Sequence, residues 1–270
     1  MRRSGLRDMP GFAQIFGLCV FLLYTPLIVI AVYSFNASSS ITIWSGFTLD
    51  WYKEVFTGID SQKYRDAAVN SLLVAVIASA LSTVMALAAA VGMLRAGSFR
   101  GRSISFGLIG LPLLVPEIVT AVASLIFFSF LGLSGSFLTV LIAHTVFCIP
   151  FAYLPISARM QDIPDLYETA ATDLYATKWQ AFRLILLPML LPGIVSGYLL
   201  SFIVSLDDFL ITNFVKGNGF ETLPTVIFGA VRTGIRPNIM AMSSLLLLIS
   251  IVLVLLSYLI GRQGREKFRI

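Results

Sequence analysis

Six apolar stretches, each about twenty residues or longer, leave this chain few ways to fold. They run approximately over residues 14–35, 69–94, 103–128, 136–157, 187–211 and 239–261. Crossing a hydrocarbon core of about 30 Å takes about 20 helical residues, and a spanning backbone must satisfy its own polar groups. The stretches are too long and too evenly apolar for barrel strands, which alternate over about ten residues. The chain therefore reads as an all-α polytopic membrane protein with six transmembrane helices. It reads as one transmembrane domain over residues 1–270, with a first helix at about 14–35 and core helices between about 69 and 261. Composition agrees: 57% of residues are hydrophobic and 12% charged, about half the charged share of a soluble domain.

Basic residues give an expected orientation. Of the 19 Lys and Arg, thirteen fall on one set of ends and loops: Arg2, Arg3, Arg7, Arg95, Arg100, Arg102, Arg159, Lys178, Arg183, Arg262, Arg265, Lys267 and Arg269. Lys53, Lys63, Arg65, Lys216, Arg232 and Arg236 fall on the other. The positive-inside rule then puts both termini and the 159–186 loop in the cytoplasm. The net charge of +5 reflects orientation and contact with anionic lipid, not nucleic-acid binding. Arg2-Arg3 precede an apolar core too long for a signal peptide, so an uncleaved first helix is expected. Cys19 and Cys148 lie inside spans and read as small buried hydrophobes, not a disulfide framework. There is no GxxxxGK[ST] phosphate loop, so any ATP-driven step belongs to another chain.

Three further features point to function. In the first outer loop, Trp51, Tyr52 and Phe56 fit a short helix at the outer lipid interface, where amphipathic rings collect. Close proline pairs recur at Pro112/Pro116, Pro150/Pro155 and Pro188/Pro192. Each proline removes a backbone donor and kinks its helix, so three kinked spans predict a cavity or a moving inner gate. Ionisable residues in spans are costly and mark pathways or functional pairs. Glu117, His144, Asp207 and Asp208 are of this kind, with no Lys or Arg in the spans to neutralise them. On straight helices Glu117 would stand roughly 21 Å, and Asp207 roughly 30 Å, from the inner end. An acidic outer pathway suits a cationic solute, with Glu117 and Asp207 meeting ammonium groups and Asp208 turned to a neighbouring helix or capping. His144 is expected as a helix–helix hydrogen-bond partner.

The segment DIPDLYETAATDLYATKWQAFRLILLPMLLP, residues 162–192, is unusually structured for a loop between spans. Ala170-Ala171, Asp173-Leu174, Ala176, Trp179, Phe182, Ile185 and Leu187-Pro188 follow the "EAA" coupling loop of ABC-importer permeases, a short rigid element that docks on an ATPase subunit. Two positions depart: Thr169 holds the usual Glu position, with Glu168 one residue earlier, and Tyr175 replaces the usual turn glycine. Ser205-Leu206-Asp207-Asp208-Phe209-Leu210-Ile211, then residues 217–224 (GNGFETLP) and Val231 to Ile239, resemble permeases of spermidine/putrescine-type ABC importers. So do Leu111-Pro112 with Val115 to Val119, and Phe47 to Tyr52 in the first outer loop.

That resemblance implies a type I importer permease fold (MetI-like), with no enzymatic activity and no cofactor in this chain. ATP and Mg would be bound by partner ATPase subunits. The other partners implied are a second permease in a heterodimer and a periplasmic substrate-binding protein, which would meet Lys216, Glu221, Arg232 and Arg236. Localisation would be the bacterial inner membrane. Glu168, Ala170, Ala171, Tyr175 and Ala176 would carry coupling; Glu117, Asp207 and Asp208 would line the substrate pathway. The same machine could carry an opine, an amino-phosphonate or thiamine instead. A stand-alone secondary carrier would need its own coupling-ion site and usually internal repeats. A membrane scaffold without flux would not call for carboxylates beside proline kinks.

Overall fold

A computed structural model describes residues 11–39, 43–95, 97, 99–234 and 237–266, of which the side chains of 233 and 257–266 are left aside. Arg2, Arg3, Arg7, Arg236, Lys267 and Arg269, used above to orient the chain, lie outside the described residues, and the side chains of Arg262 and Arg265 are among those left aside. Among the described residues the regular structure is helical, apart from one isolated antiparallel bridge between Asn36 and Phe47.

Among the described residues five helices are long and apolar enough to cross a membrane: α1 (Phe12–Tyr33), α3 (Ser61–Arg95), α6 (Phe137–Gln161), the continuous run Lys178–Asp207, and the helix beginning at Pro237. The third expected span is not one helix. It divides into α4 (Arg102–Leu114) and α5 (Glu117–Phe130), bent by 109°; counted as one span, the pair makes six. Proline chemistry explains the break. Pro116 cannot donate to the carbonyl four residues back and pushes the residue before it out of the helical region. Val115 accordingly adopts φ −82°, ψ 132°. Pro150 and Pro155, in contrast, sit inside an unbroken α6. The shorter elements are α2 (Asp50–Thr57), α7 (Leu166–Asp173), α8 (Lys178–Ala181), α9 (Leu187–Asp207), α10 (Leu210–Val215) and α11 (Leu223–Thr233); α12 is Pro237–Glu266.

The chain forms two compact units. The first takes the N-terminal stretch to Gln62 and Ile227–Leu248. Its α1 has no buried residue, as expected of a helix whose solvent is lipid, and Cys19 lies on this exposed surface rather than in a core. After α1 the chain is tied by Asn36. The Asn36 side chain donates to the Ile43 carbonyl (2.8 Å) and accepts from the Ser45 amide (3.0 Å). The Asn36 backbone carbonyl accepts from the Trp51 ring N–H (2.6 Å), while Tyr52 hydrogen-bonds Ser34 (2.7 Å) and packs on Phe35. Trp51 and Tyr52 thus knit the segment after α1 together instead of simply facing lipid; Phe56 remains exposed.

The second unit holds Lys63–Val226 and Ile249–Ile270. Its centre is α6 against α9, brought almost to backbone contact by glycine. A Cβ at Gly197 would lie 2.7 Å from the Ala152 carbonyl oxygen, and one at Gly193 would lie 2.7 Å from Arg159 Cβ. Small residues at helix crossings permit this approach where water supplies no hydrophobic drive between helices. Two buried clusters flank it. Val140, Phe147, Cys148 and Ile211 belong to one, and Ala152, Ile156, Met160 and Leu190 to the other. Before α9 the backbone widens into a π turn, Phe182–Leu186, where the Leu187 amide reaches the Phe182 carbonyl. Pro188 supplies no donor to the carbonyl four residues earlier, and a π turn absorbs that irregularity.

Candidate functional site: a buried carboxyl cluster and a braced loop after the fourth span

Around the broken span, the second unit brings together three of the four ionisable residues expected in the membrane helices: Glu117, His144 and Asp208. Glu117 is the first residue of α5 and half-buried. Its carboxyl lies beside the Asp208 carboxyl, close enough for the two to act on each other. Asp208 lies between α9 and α10 and is 6% exposed. It caps α10, accepting from the amides of Ile211 (3.2 Å) and Thr212 (2.9 Å) and from the Thr212 hydroxyl (2.9 Å). His144, on α6, completes the group. Its Nδ1 pairs with Ser205 Oγ (2.8 Å), and its Nε2 with Thr212 Oγ1 (2.8 Å) and Asp208 Oδ2 (3.1 Å). The directions close with the proton on Nε2. Ser205 then donates to Nδ1, Nε2 donates to Thr212, and Thr212 donates to Asp208. His144 therefore bonds α6 to α9 and α10.

Asp207 is separate from this group. It ends α9, is exposed, and accepts from the Ser250 hydroxyl at 3.1 and 3.2 Å. The break at Pro116 also removes the straight-helix measure of Glu117's depth: the residue stands at a helix start, where the first backbone amides lack intrahelical acceptors. Chemically, the cluster offers a half-buried carboxyl on a second, well-anchored carboxylate. A cation can bridge such a pair at little reorganisation cost, because Asp208 is already held by four donors.

The loop after α6 is braced from within the chain. Arg95, the last residue of α3, donates from Nε to Glu168 (2.7 Å) and from Nη2 to the Ile163 carbonyl (2.8 Å), and it pairs through Nη1 with Asp165. Glu168, expected to face a partner, is thus turned to its own α3. Ala171 is buried, whereas Ala170 is exposed and Ala176 is half-exposed. Tyr175 is the one described residue other than glycine with positive φ (62°). The Ala176 amide bonds the Ala171 carbonyl and the Tyr175 amide bonds Thr172, both at 3.0 Å. That is a Schellman end to α7, with tyrosine in the glycine position. Next, α8 opens on a capping box between Thr177 and Gln180. The turn pushes Leu174, Tyr175 and Trp179 outward, and with Leu166 and Tyr167 they make an exposed apolar and aromatic surface on an otherwise polar loop. A surface of that kind marks a protein contact.

On the opposite loop two of the four expected binding-protein contacts are engaged with each other: Lys216 pairs with Glu221 at 2.6 Å. Burial raises the Glu221 carboxyl pKa, but hydrogen bonds from Lys216 and Thr225 and the Lys216 charge outweigh it, leaving the pKa below its ordinary value. Arg232 stands over the Phe228 ring, 5.2 Å from its centroid, and Arg236 lies outside the described residues. The glycines of GNGFETLP have a geometric reason. Gly217 has φ +67° and packs on Gly135, whose Cβ would fall 2.4 Å from the Gly217 nitrogen. Residues that sequence reasoning did not single out for function are Arg95, Ser205, Thr212 and Ser250. Arg95 closing a 35-residue helix directly before the basic loop was the one available signal.

A family description, "Binding-protein-dependent transport system inner membrane component", matches residues 82–263. Among curated relatives, the spermidine/putrescine transport system permease protein PotC of Haemophilus influenzae is 36% identical over 244 residues, which is 90% of this chain and 93% of that protein. The putrescine transport system permease protein PotI of Escherichia coli is 35% identical over 254 residues, 92% of this chain and 89% of that protein. Among solved structures, a bacterial ABC transporter involved in alginate import superposes with TM-score 0.64 at 17% identity, covering 96% of this chain and 95% of that one. The MetNI methionine ABC transporter superposes with TM-score 0.58 at 21% identity, covering 75% and 93%. These likenesses show the fold: an all-α type I importer permease.

Proposed function

The chain belongs to the family of binding-protein-dependent transport system inner membrane components, and on that premise we propose that it passes a polyamine of the putrescine and spermidine kind into the cell. It is a multi-pass inner-membrane transport subunit and not an enzyme. ATP hydrolysis belongs to a separate subunit, and a substrate-binding protein delivers the cargo. The observation that carries the polyamine reading is the carboxyl cluster at the α4–α5 break, with Glu117 against Asp208 and no Lys or Arg within the apolar spans. Ammonium groups are the chemistry that such a cluster favours, and a phosphate- or sulfate-like anion is the chemistry that it rejects. The names of the curated relatives support the same cargo.

Both termini and the 159–186 loop face the cytoplasm in this reading, supported by the thirteen-to-six split of basic residues. The permease works beside a second, different permease. ATP and Mg are held by the ATPase, which meets the apolar surface around Leu174, Tyr175 and Trp179. ATP binding there shifts the pair of permeases between outward- and inward-facing states through its different affinity for the two.

Labelled putrescine and spermidine uptake, with the gene deleted and then restored, tests the cargo. Loss on deletion, recovery on restoration and block by vanadate are expected. Glu117→Gln and Asp207→Asn should each lower uptake about tenfold, the effect of losing one hydrogen bond to a charged group, with the complex still assembled. Wild-type uptake in both variants would remove the carboxylates from the pathway. Unchanged uptake after deletion, in cells with no other polyamine importer, would remove polyamine as cargo and leave the family standing. Tyr175→Gly separates turn from contact. Glycine tolerates φ 62° without the cost of about 1 kcal/mol that a side chain carries there. Thermal stability should therefore hold, while ATPase retention in a pull-down falls several-fold.

A further inference from the structure

Where α3, α4 and α6 approach the coupling loop, a cleft of about 470 Å³ opens between them, lined by Leu94, Arg102, Phe106, Tyr153, Leu154 and Gln161 among others. Tyr153 is 6% exposed, and its hydroxyl has no hydrogen bond among the described residues. The ring is packed away while the residue lines the cleft, so the hydroxyl is available there as a donor to a ligand. The Arg102 guanidinium is close enough to act on that hydroxyl electrostatically, and it has no carboxylate partner among the described residues. Two acids of the loop, Asp165 and Glu168, are already taken by Arg95. The cleft thus presents one free cation and one free hydroxyl donor at its mouth, above walls of leucine and phenylalanine.

We propose that this cleft holds an anionic phospholipid, its phosphate on Arg102 and the Tyr153 hydroxyl and an acyl chain along Leu94, Phe106 and Leu154. A basic pocket between membrane helices at the headgroup level selects an anionic headgroup, and its apolar walls give an acyl chain what a soluble anion cannot use. The cargo is excluded, because Arg102 repels ammonium. A seated lipid would brace the ends of α3 and α6, between which the coupling loop is clamped. Only the assignment to the inner leaflet rests on the cytoplasmic orientation proposed above; lipid retention does not.

The test is native mass spectrometry of the assembled importer, extracted in mild detergent with equal phosphatidylglycerol and phosphatidylethanolamine. The wild type is expected to retain phosphatidylglycerol preferentially. Arg102→Gln should lower that retention about fivefold, the effect of one basic residue at the headgroup level, and Tyr153→Phe should lower it by less, both with subunits still together. Equal retention of the two lipids by the wild type, or undiminished retention by Arg102→Gln, would overturn the proposal. So would displacement by glycerol phosphate, which has no acyl chain. Failure of putrescine uptake would leave this readout untouched, so the two readings fail separately.

Discussion

Replacing Arg95 by alanine is expected to lower uptake by tenfold or more while the chain still inserts and the complex still forms. One guanidinium holds three groups on the loop after α6, the proposed coupling element: Glu168, Asp165 and the Ile163 carbonyl. The Arg95 side chain is 15% exposed and that of Glu168 is 27% exposed, so the pair lies between the fully exposed and the fully buried limits. Exposed pairs contribute up to about 1 kcal/mol, and breaking a buried pair costs about 3–5 kcal/mol. A loss of about 2 kcal/mol follows for the docked position of α7, enough to shift it about thirtyfold. The ATPase would then push on a loop that no longer moves α3. Arg95→Lys should fall between, because an ammonium is a point charge that cannot match the guanidinium's fixed fork. The distinguishing readout is ATP hydrolysis that proceeds without uptake, and the paired exchange Arg95→Glu with Glu168→Arg should recover part of the transport. Normal uptake by Arg95→Ala would mean that the loop transmits force without this brace.

The second large effect is on folding. Asp208→Ala should destabilise the second unit by about 3 kcal/mol or more, because it strands several groups at once: the amides of Ile211 and Thr212, the Thr212 hydroxyl and the His144 ring. The expected result is little folded protein in the membrane and a markedly lower melting temperature in detergent. Asp208→Asn keeps one carbonyl acceptor and should lose less. Glu117→Gln, a few ångströms away, should leave folding alone and affect only uptake. Two carboxylates of one cluster would then divide into an anchor and a contact. Equal stability of Asp208→Ala and the wild type would refute the anchoring role.

The spans and the structured loop were legible because they depend on local chemistry. Twenty apolar residues in lipid have only the helix to form. Glycine's absence at 175 identified the position where backbone geometry would matter, and Tyr175 adopts the left-handed conformation there. The proline pairs were less informative. Identical chemistry broke the third span at Pro116 and left α6 whole through Pro150 and Pro155. A proline removes one bond, but whether the helix opens depends on the neighbours that re-satisfy or crowd it.

Sequence alone determined that this chain is a bundle of membrane helices with a structured loop, and that acids lie where acids are costly. It did so because hydrophobic length, helical period and turn chemistry act over a few residues. Tertiary structure alone decided what those acids meet. It turned Glu168 to Arg95, 73 residues away, and joined His144 to Thr212, 68 residues away. It also made Asp208 a cap and left Asp207 exposed beside Ser250. Adjacent aspartates look alike in a sequence; the end of α9 between them sends one inward and the other outward, and a carboxylate's role follows from the donors it then finds.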